Sequence, residues 1–195
     1  FLGIQIVVAI NVASDNLIIS KMLGPEAVTA FSVPERMFGL VPMLIHLALQ
    51  PLWPAYAEAR ARQDDAWVKN TLRRAFVNSL VVSSACCSGL VLLGQWIVEH
   101  WTAGVAVPTL VLLGGLALWK VVDSIEYSLT SFLSSAGALR PQLLYGFMAM
   151  STALLGKVLL IPAVGLEVVP WVSAISRVIW SSIPLLFLSR SLAKS

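Results

Sequence analysis

Six apolar runs follow one another along this chain, at roughly residues 1–20, 27–53, 76–98, 107–133, 142–163 and 168–189. Each is long enough for a helix to cross a hydrocarbon core of about 30 Å. None alternates with the two-residue period of a barrel strand. A backbone inside lipid must satisfy its own hydrogen bonds, which leaves α-helices as the structure for these runs. Composition agrees: 58% of the 195 residues are hydrophobic and 12% are charged, against about 25% charged in soluble domains. The expected fold is an all-α integral membrane protein, a single six-transmembrane-helix bundle over residues 1–195. The chain opens on Phe1 inside an apolar run, with no signal-peptide pattern, so we read it as a fragment.

Lys and Arg outside the runs are distributed unevenly. Arg60, Arg62, Lys69, Arg73, Arg74, Arg140, Arg190 and Lys194 fall in alternate connections or the tail, and the opposing connections hold only Lys21. An eight-to-one bias that alternates through six spans is the positive-inside pattern, with both chain ends on the cytoplasmic side. Trp101 and Trp171 then belong near the outer interface, and Trp53 and Trp67 near the inner one. The formal charge of +3 is explained by topology. Aromatic residues do not interleave with basic ones as in nucleic-acid binders, so no nucleic-acid partner is expected. Cys86 and Cys87 are adjacent and diverge by about 100° on a helix, which argues against a mutual disulfide. No Cys/His metal spacing, phosphate loop or hydrolase motif is present, and neither cofactor nor enzymatic chemistry is expected.

Within 54–75, Asp64 is a candidate N-cap for AWVKNTLRRAF. Trp67, Val68, Thr71, Leu72, Ala75 and Phe76 fall on one helical face, and Lys69, Asn70, Arg73 and Arg74 on the other. Such a helix can lie on the inner leaflet among anionic headgroups, or be an ordinary basic loop. Pro34, Pro42 and Pro51 interrupt the second run, and Pro162 and Pro184 fall late in the fifth and sixth, predicting kinks. Ser83, Ser84, Ala85, Ser88 and Gly89 predict close helix packing in the third. His46 reads as a satisfied packing histidine.

Eight charges lie inside the runs: Arg36, Lys120, Lys157 and Arg177, with Asp15, Glu35, Asp123 and Glu126. At 1.5 Å per residue, Arg36 and Arg177 each lie about 14 Å into their runs, close to the midplane. Lys120 is about 20 Å in from outside, and Lys157 only about 9 Å from the outer end, within snorkelling reach. Asp15 has a similar shallow depth. A central Arg costs about 2.5–3.5 kcal/mol to insert, so these groups should face a bundle interior or a wet cavity. Lys120 and Asp123 are three apart and can pair within one helix. Glu35 and Arg36 diverge, so Arg36 requires another partner. The four-to-four match allows structural ion pairing of all eight, with Asp15, Glu35, Asp123, Glu126 and Lys157 as structural pairs or ion-coupling groups. The alternative is a cationic cavity for an anionic substrate, with Arg36, Arg177 and Lys120 as its binding residues.

DNLIISKMLGPEAVTAFSVPERMF, followed by PLWPAYAEARAR and DDAWVKNTLRRAF, resembles the O-antigen and polysaccharide flippases of the multidrug/oligosaccharidyl-lipid/polysaccharide exporter superfamily. A similar Asp-Asn, Leu-Gly-Pro and Tyr-Ser-Val-x-x-Arg order opens the second half of those proteins, with Phe31 here in place of the Tyr. The resemblance covers residues 11–76; beyond them only span spacing carries it. It implies that the six spans are the C-terminal bundle of a twelve-to-fourteen-span transporter, and that the N-terminal bundle of the same chain is a partner. It also implies a lipid-diphosphate-linked oligosaccharide as substrate, in the bacterial inner membrane. A multidrug extruder, a lipid II flippase and a non-transporting envelope-assembly scaffold are the alternatives within reach of the same pattern.

Overall fold

The computed structural model describes residues 14–101 and 107–192. The fold is an all-α membrane bundle, with no strand among the described residues. The described part of α1 is 14–23. It is followed by α2 (Pro25–Leu49), α3 (Leu52–Ala61), α4 (Asp65–Trp101), α5 (Leu110–Ser135), α6 (Leu139–Val164), α7 (Val168–Arg177), a π turn (Val178–Ser182) and α8 (Ile183–Leu192). Four helical stretches are long and apolar enough to cross a membrane: Pro25–Ala61, Asp65–Trp101, Leu139–Val164 and Val168–Leu192. This is a multi-pass membrane architecture. The 26-residue α5 matches α6 in length but carries Lys120, Asp123 and Glu126 mid-helix, so protein partners rather than lipid must satisfy its middle.

Local sequence accounts for most boundaries. The Leu-Gly-Pro step separates α1 from α2: Gly24 takes φ 90°, open to glycine at little cost, and Pro25 starts α2 where its missing N–H is not needed. Pro51 interrupts the second run, as expected, and stands as the cap residue before α3 after a break at Gln50. Pro34 and Pro42 stay inside α2. The Asp64 side chain accepts from the Trp67 amide at 3.0 Å, the expected cap. Pro184 can neither donate nor avoid the carbonyl four residues back, and the turn containing that carbonyl widens into the π turn.

Two apolar cores stack along the bundle. One joins Phe31, Phe38 and Ile45 of α2 to Cys87 and Val98 of α4, Leu112, Leu113 and Leu116 of α5, Ile161 of α6 and Val169 of α7. The second collects Tyr56 and Ala59 of α3, Val68 and Leu72 of α4, Leu129, Phe132 and Leu133 of α5, and Leu185 of α8. The α3–α4 turn, the start of α6 and the end of α8 therefore share one end of the bundle. Arg60, Arg62, Lys69, Arg73, Arg74, Arg140 and Arg190 sit around it, as the alternating loop charges require; Lys194 lies outside the described residues.

Three expectations change. The basic amphipathic segment is not a separate helix lying on a leaflet. It is the first three turns of the 37-residue α4, and Val68, Leu72 and Ala75 of its apolar stripe are buried against protein. Gly89 would meet nothing if given a Cβ, whereas Gly94 sits against Leu113 and Met37 at 3.3 Å. The tight glycine contact of α4 thus lies toward its C-terminal end, while Ser83 is buried in the middle of the helix as expected. Trp171, expected near the outer interface, is a packing residue: a Cβ on Gly115 would approach its Nε1 to 2.7 Å, and that nitrogen donates to the Val111 carbonyl at 3.1 Å.

Candidate functional site

Three ion-pair systems cross the helix interfaces, and each has one end on a residue that the sequence marks as costly. Lys157 of α6 donates to Asp15 of α1 at 2.5 Å, with side chains only 1% and 4% exposed. Lys157 does not snorkel: its depth matches that of Asp15, and burial among apolar groups makes a direct partner stronger than distant water. Lys120 of α5 donates to Glu35 of α2 at 2.5 Å. It does not pair with Asp123 on its own helix, because α2 brings a carboxylate to the ammonium first. Both ammonium groups lie over the buried Trp119 ring, Lys120 Nζ at 4.1 Å and Lys157 Nζ at 5.7 Å from its centroid. The electron-rich ring face adds attraction in a site that water reaches poorly.

Arg177 forms the third system. Its Nη1 lies 2.6 Å from Asp123 Oδ1 and 3.3 Å from Glu126 Oε2, both on α5. The Glu126 contact is aligned as a hydrogen bond, while the closer Asp123 oxygen is a charge contact without that alignment. Ser181, in the π turn, donates to the other oxygen of Glu126. The widened turn thus presents Arg177 and Ser181 to one carboxylate. Gly115 and Gly156 let α7 approach α5 and α6 closely, since a Cβ on either would come within 2.8 Å of α7 side chains. That approach brings Arg177 within reach of α5.

Arg36 differs from the other cations. It is exposed on α2, one residue from the half-buried Glu35, and among the described residues it has no ion pair or hydrogen bond. Leu40, Met43, Leu44 and Leu47 continue its face and are all more than half exposed. Of the residues expected to bind an anion, Arg36 presents a guanidinium without a partner among the described residues, and Arg177 and Lys120 are engaged by carboxylates. Asp15, Glu35, Asp123, Glu126 and Lys157 are all ion-pair members.

The seam also holds a residue that sequence reading undervalued. His46 stacks on Tyr127, with centroids 3.9 Å apart and planes 21° apart, and its buried Nε2 has no hydrogen-bond partner among the described residues. It is a packing histidine, and only that nitrogen is left without a partner among the described residues. The only hint in sequence is its place ten residues after Arg36 on the same proline-interrupted run. A groove of about 470 Å³ opens between α4 and α5, lined by Ser84, Cys87, Val91, Ala117 and Val121. It contains none of the span charges. No group of His, Cys, Asp and Glu among the described residues is arranged to hold a metal ion. Comparison of the chain with protein-family models, with curated proteins and with solved structures gave no match.

Proposed function

We propose that this bundle is one wall of a flippase that carries a lipid-diphosphate-linked oligosaccharide across the bacterial inner membrane by alternating access. Arg36 is its contact to the anionic headgroup, and the N-terminal bundle of the same chain forms the opposite wall. The observation that carries the reading is the exposed Arg36 near the middle of α2, without a partner among the described residues while its neighbours are paired. An unpaired guanidinium at that depth is costly against hydrocarbon. Facing water and a diphosphate it is well placed, because its planar fork stays charged and binds phosphate oxygens at two points. The four span carboxylates are each engaged by a cation, so an organic-cation extruder would lack a free acid on this wall. Lys120 and Arg177, which the sequence suggested as further headgroup contacts, serve in this reading to hold the wall together.

The test is export in a flippase-deficient strain, with membrane abundance measured alongside. Arg36→Ala in the full-length chain should abolish export at normal abundance, and Arg36→Lys should keep a fraction of it. Normal export by a stable Arg36→Ala variant would end the proposal. The proposed orientation, both ends cytoplasmic, has its own check: Thr102→Cys should react only from outside.

A further inference from the structure

We infer that the Glu35–Lys120 pair is a positioning element: it sets the rotation of the middle of α2 and so holds Arg36 away from the bundle. The inference rests on the reading of Arg36 as a cavity-facing group. It starts from the weakness of that part of the helix. Pro34 and Pro42 each remove a backbone hydrogen bond and crowd the carbonyl four residues earlier, and Gly39 between them adds backbone freedom. The stretch from Pro34 to Pro42 therefore resists twisting less than an uninterrupted helix.

Apolar packing guides this segment through Phe31, Met37, Phe38 and Val41, which are buried. Apolar packing alone tolerates sliding, because it is not directional. The Lys120–Glu35 contact is directional, 2.5 Å long, and is the only polar tertiary contact of residues 34–42 among the described residues. Successive helix residues diverge by about 100°. With Glu35 pinned to α5, Arg36 is turned toward the exposed face it shares with Leu40 and Met43. Lys120 is itself held, buried and lying over the Trp119 ring at 4.1 Å. The anchor is on the rigid helix and the pinned group on the weakened one.

Lys120 and Glu35 touch no substrate in this scheme. Their removal should change where Arg36 points before it changes whether the bundle forms. The experiment reads position 36 directly. Arg36→Cys is placed in a full-length chain lacking Cys86 and Cys87, and its reaction with a charged, membrane-impermeant thiol reagent is timed in vesicles. Adding the apolar pair Glu35→Leu and Lys120→Met leaves neither an uncompensated charge nor a hydrogen bond between the two positions, so the directional pin is lost while the site stays filled. The rate should then fall by about tenfold, following the smaller share of molecules with residue 36 turned to water. The exchanged pair, Glu35→Lys with Lys120→Glu, should restore it. An unchanged rate in the apolar pair overturns the positioning role and leaves the reading of Arg36 intact. No reaction at position 36 in the parent overturns both. Export by the same pair variants with Arg36 present should show a raised substrate KM at similar maximal rate, a split that a general loss of folded protein would not produce.

Discussion

Arg36 and Arg177 lie at about the same distance into their apolar runs, about 14 Å by helical rise, yet their surroundings are opposite. Arg177 reaches across from the end of α7 to two carboxylates on α5, one of which also accepts from Ser181. Arg36 is exposed on α2, and the carboxylate beside it in sequence is turned to another helix. Depth sets the cost of a charge, and it does not set how that cost is met. At the α5–α7 seam it is met by protein, through glycines that allow close approach and a π turn that aligns two donors. On α2 it must be met by something outside the described bundle. One seam is a fastener, and the other face carries the exposed guanidinium that we propose meets the substrate.

The comparison can first be broken at the most buried pair. Lys157→Met leaves Asp15 as an uncompensated carboxylate at 4% exposure. Breaking a buried pair from one side costs about 3–5 kcal/mol, whereas replacing both members with apolar groups is often neutral. Reversible unfolding in SDS should show that loss for Lys157→Met, and recovery of most of it for Lys157→Met with Asp15→Leu. A single variant as stable as the parent would mean that the pair does not hold α1 to α6.

Arg177→Leu should come next. Its site is more open than that of Lys157, with 29% of the side chain exposed, so the loss should fall at the lower end of the range, about 3 kcal/mol. Adding Asp123→Asn and Glu126→Gln should rescue stability. If Arg177 instead behaves like Arg36, with stability unchanged and export lost, the distinction between fastener and binding group fails.

Gly115→Val tests the geometry behind the fastener. A Cβ there would come within 2.8 Å of Pro170 and Trp171, and overpacking of this kind costs about 1–3 kcal/mol. The expected signature is a lower unfolding midpoint. The same valine at Gly89, where a Cβ meets nothing, should cost little beyond helix propensity.

Much of this was legible before any coordinates. Run length, loop charge and the Leu-Gly-Pro step gave the helices, their alternation and the α1–α2 boundary, because each is a local consequence of residue type. The matching depths of Asp15 and Lys157 were also visible. Partner choice was not. Lys120 has Asp123 three residues away, and only the placement of α2 against α5 shows that Glu35 takes the ammonium instead. The apolar stripe of the α4 start reads equally well against lipid or against protein, since both are apolar; Tyr56 and Phe132 decide it. The π turn follows from Pro184 only in hindsight, as most prolines in membrane helices produce simple kinks.

The smallest expected effect is the sharpest test of the difference between the two arginines. If residue 36 faces hydrocarbon, Arg36→Leu removes an insertion cost of about 2.5–3.5 kcal/mol and the protein should become more stable by a comparable amount. If it faces a wet cavity, the guanidinium is already hydrated and carries no such penalty. Leucine then adds only ordinary surface change, within about 0.5 kcal/mol. No ion pair is lost in either case, because Arg36 makes none among the described residues. The cavity reading therefore expects an unfolding midpoint that barely moves together with export that disappears. A large gain in stability would put Arg36 against lipid and remove the physical basis for its role in binding.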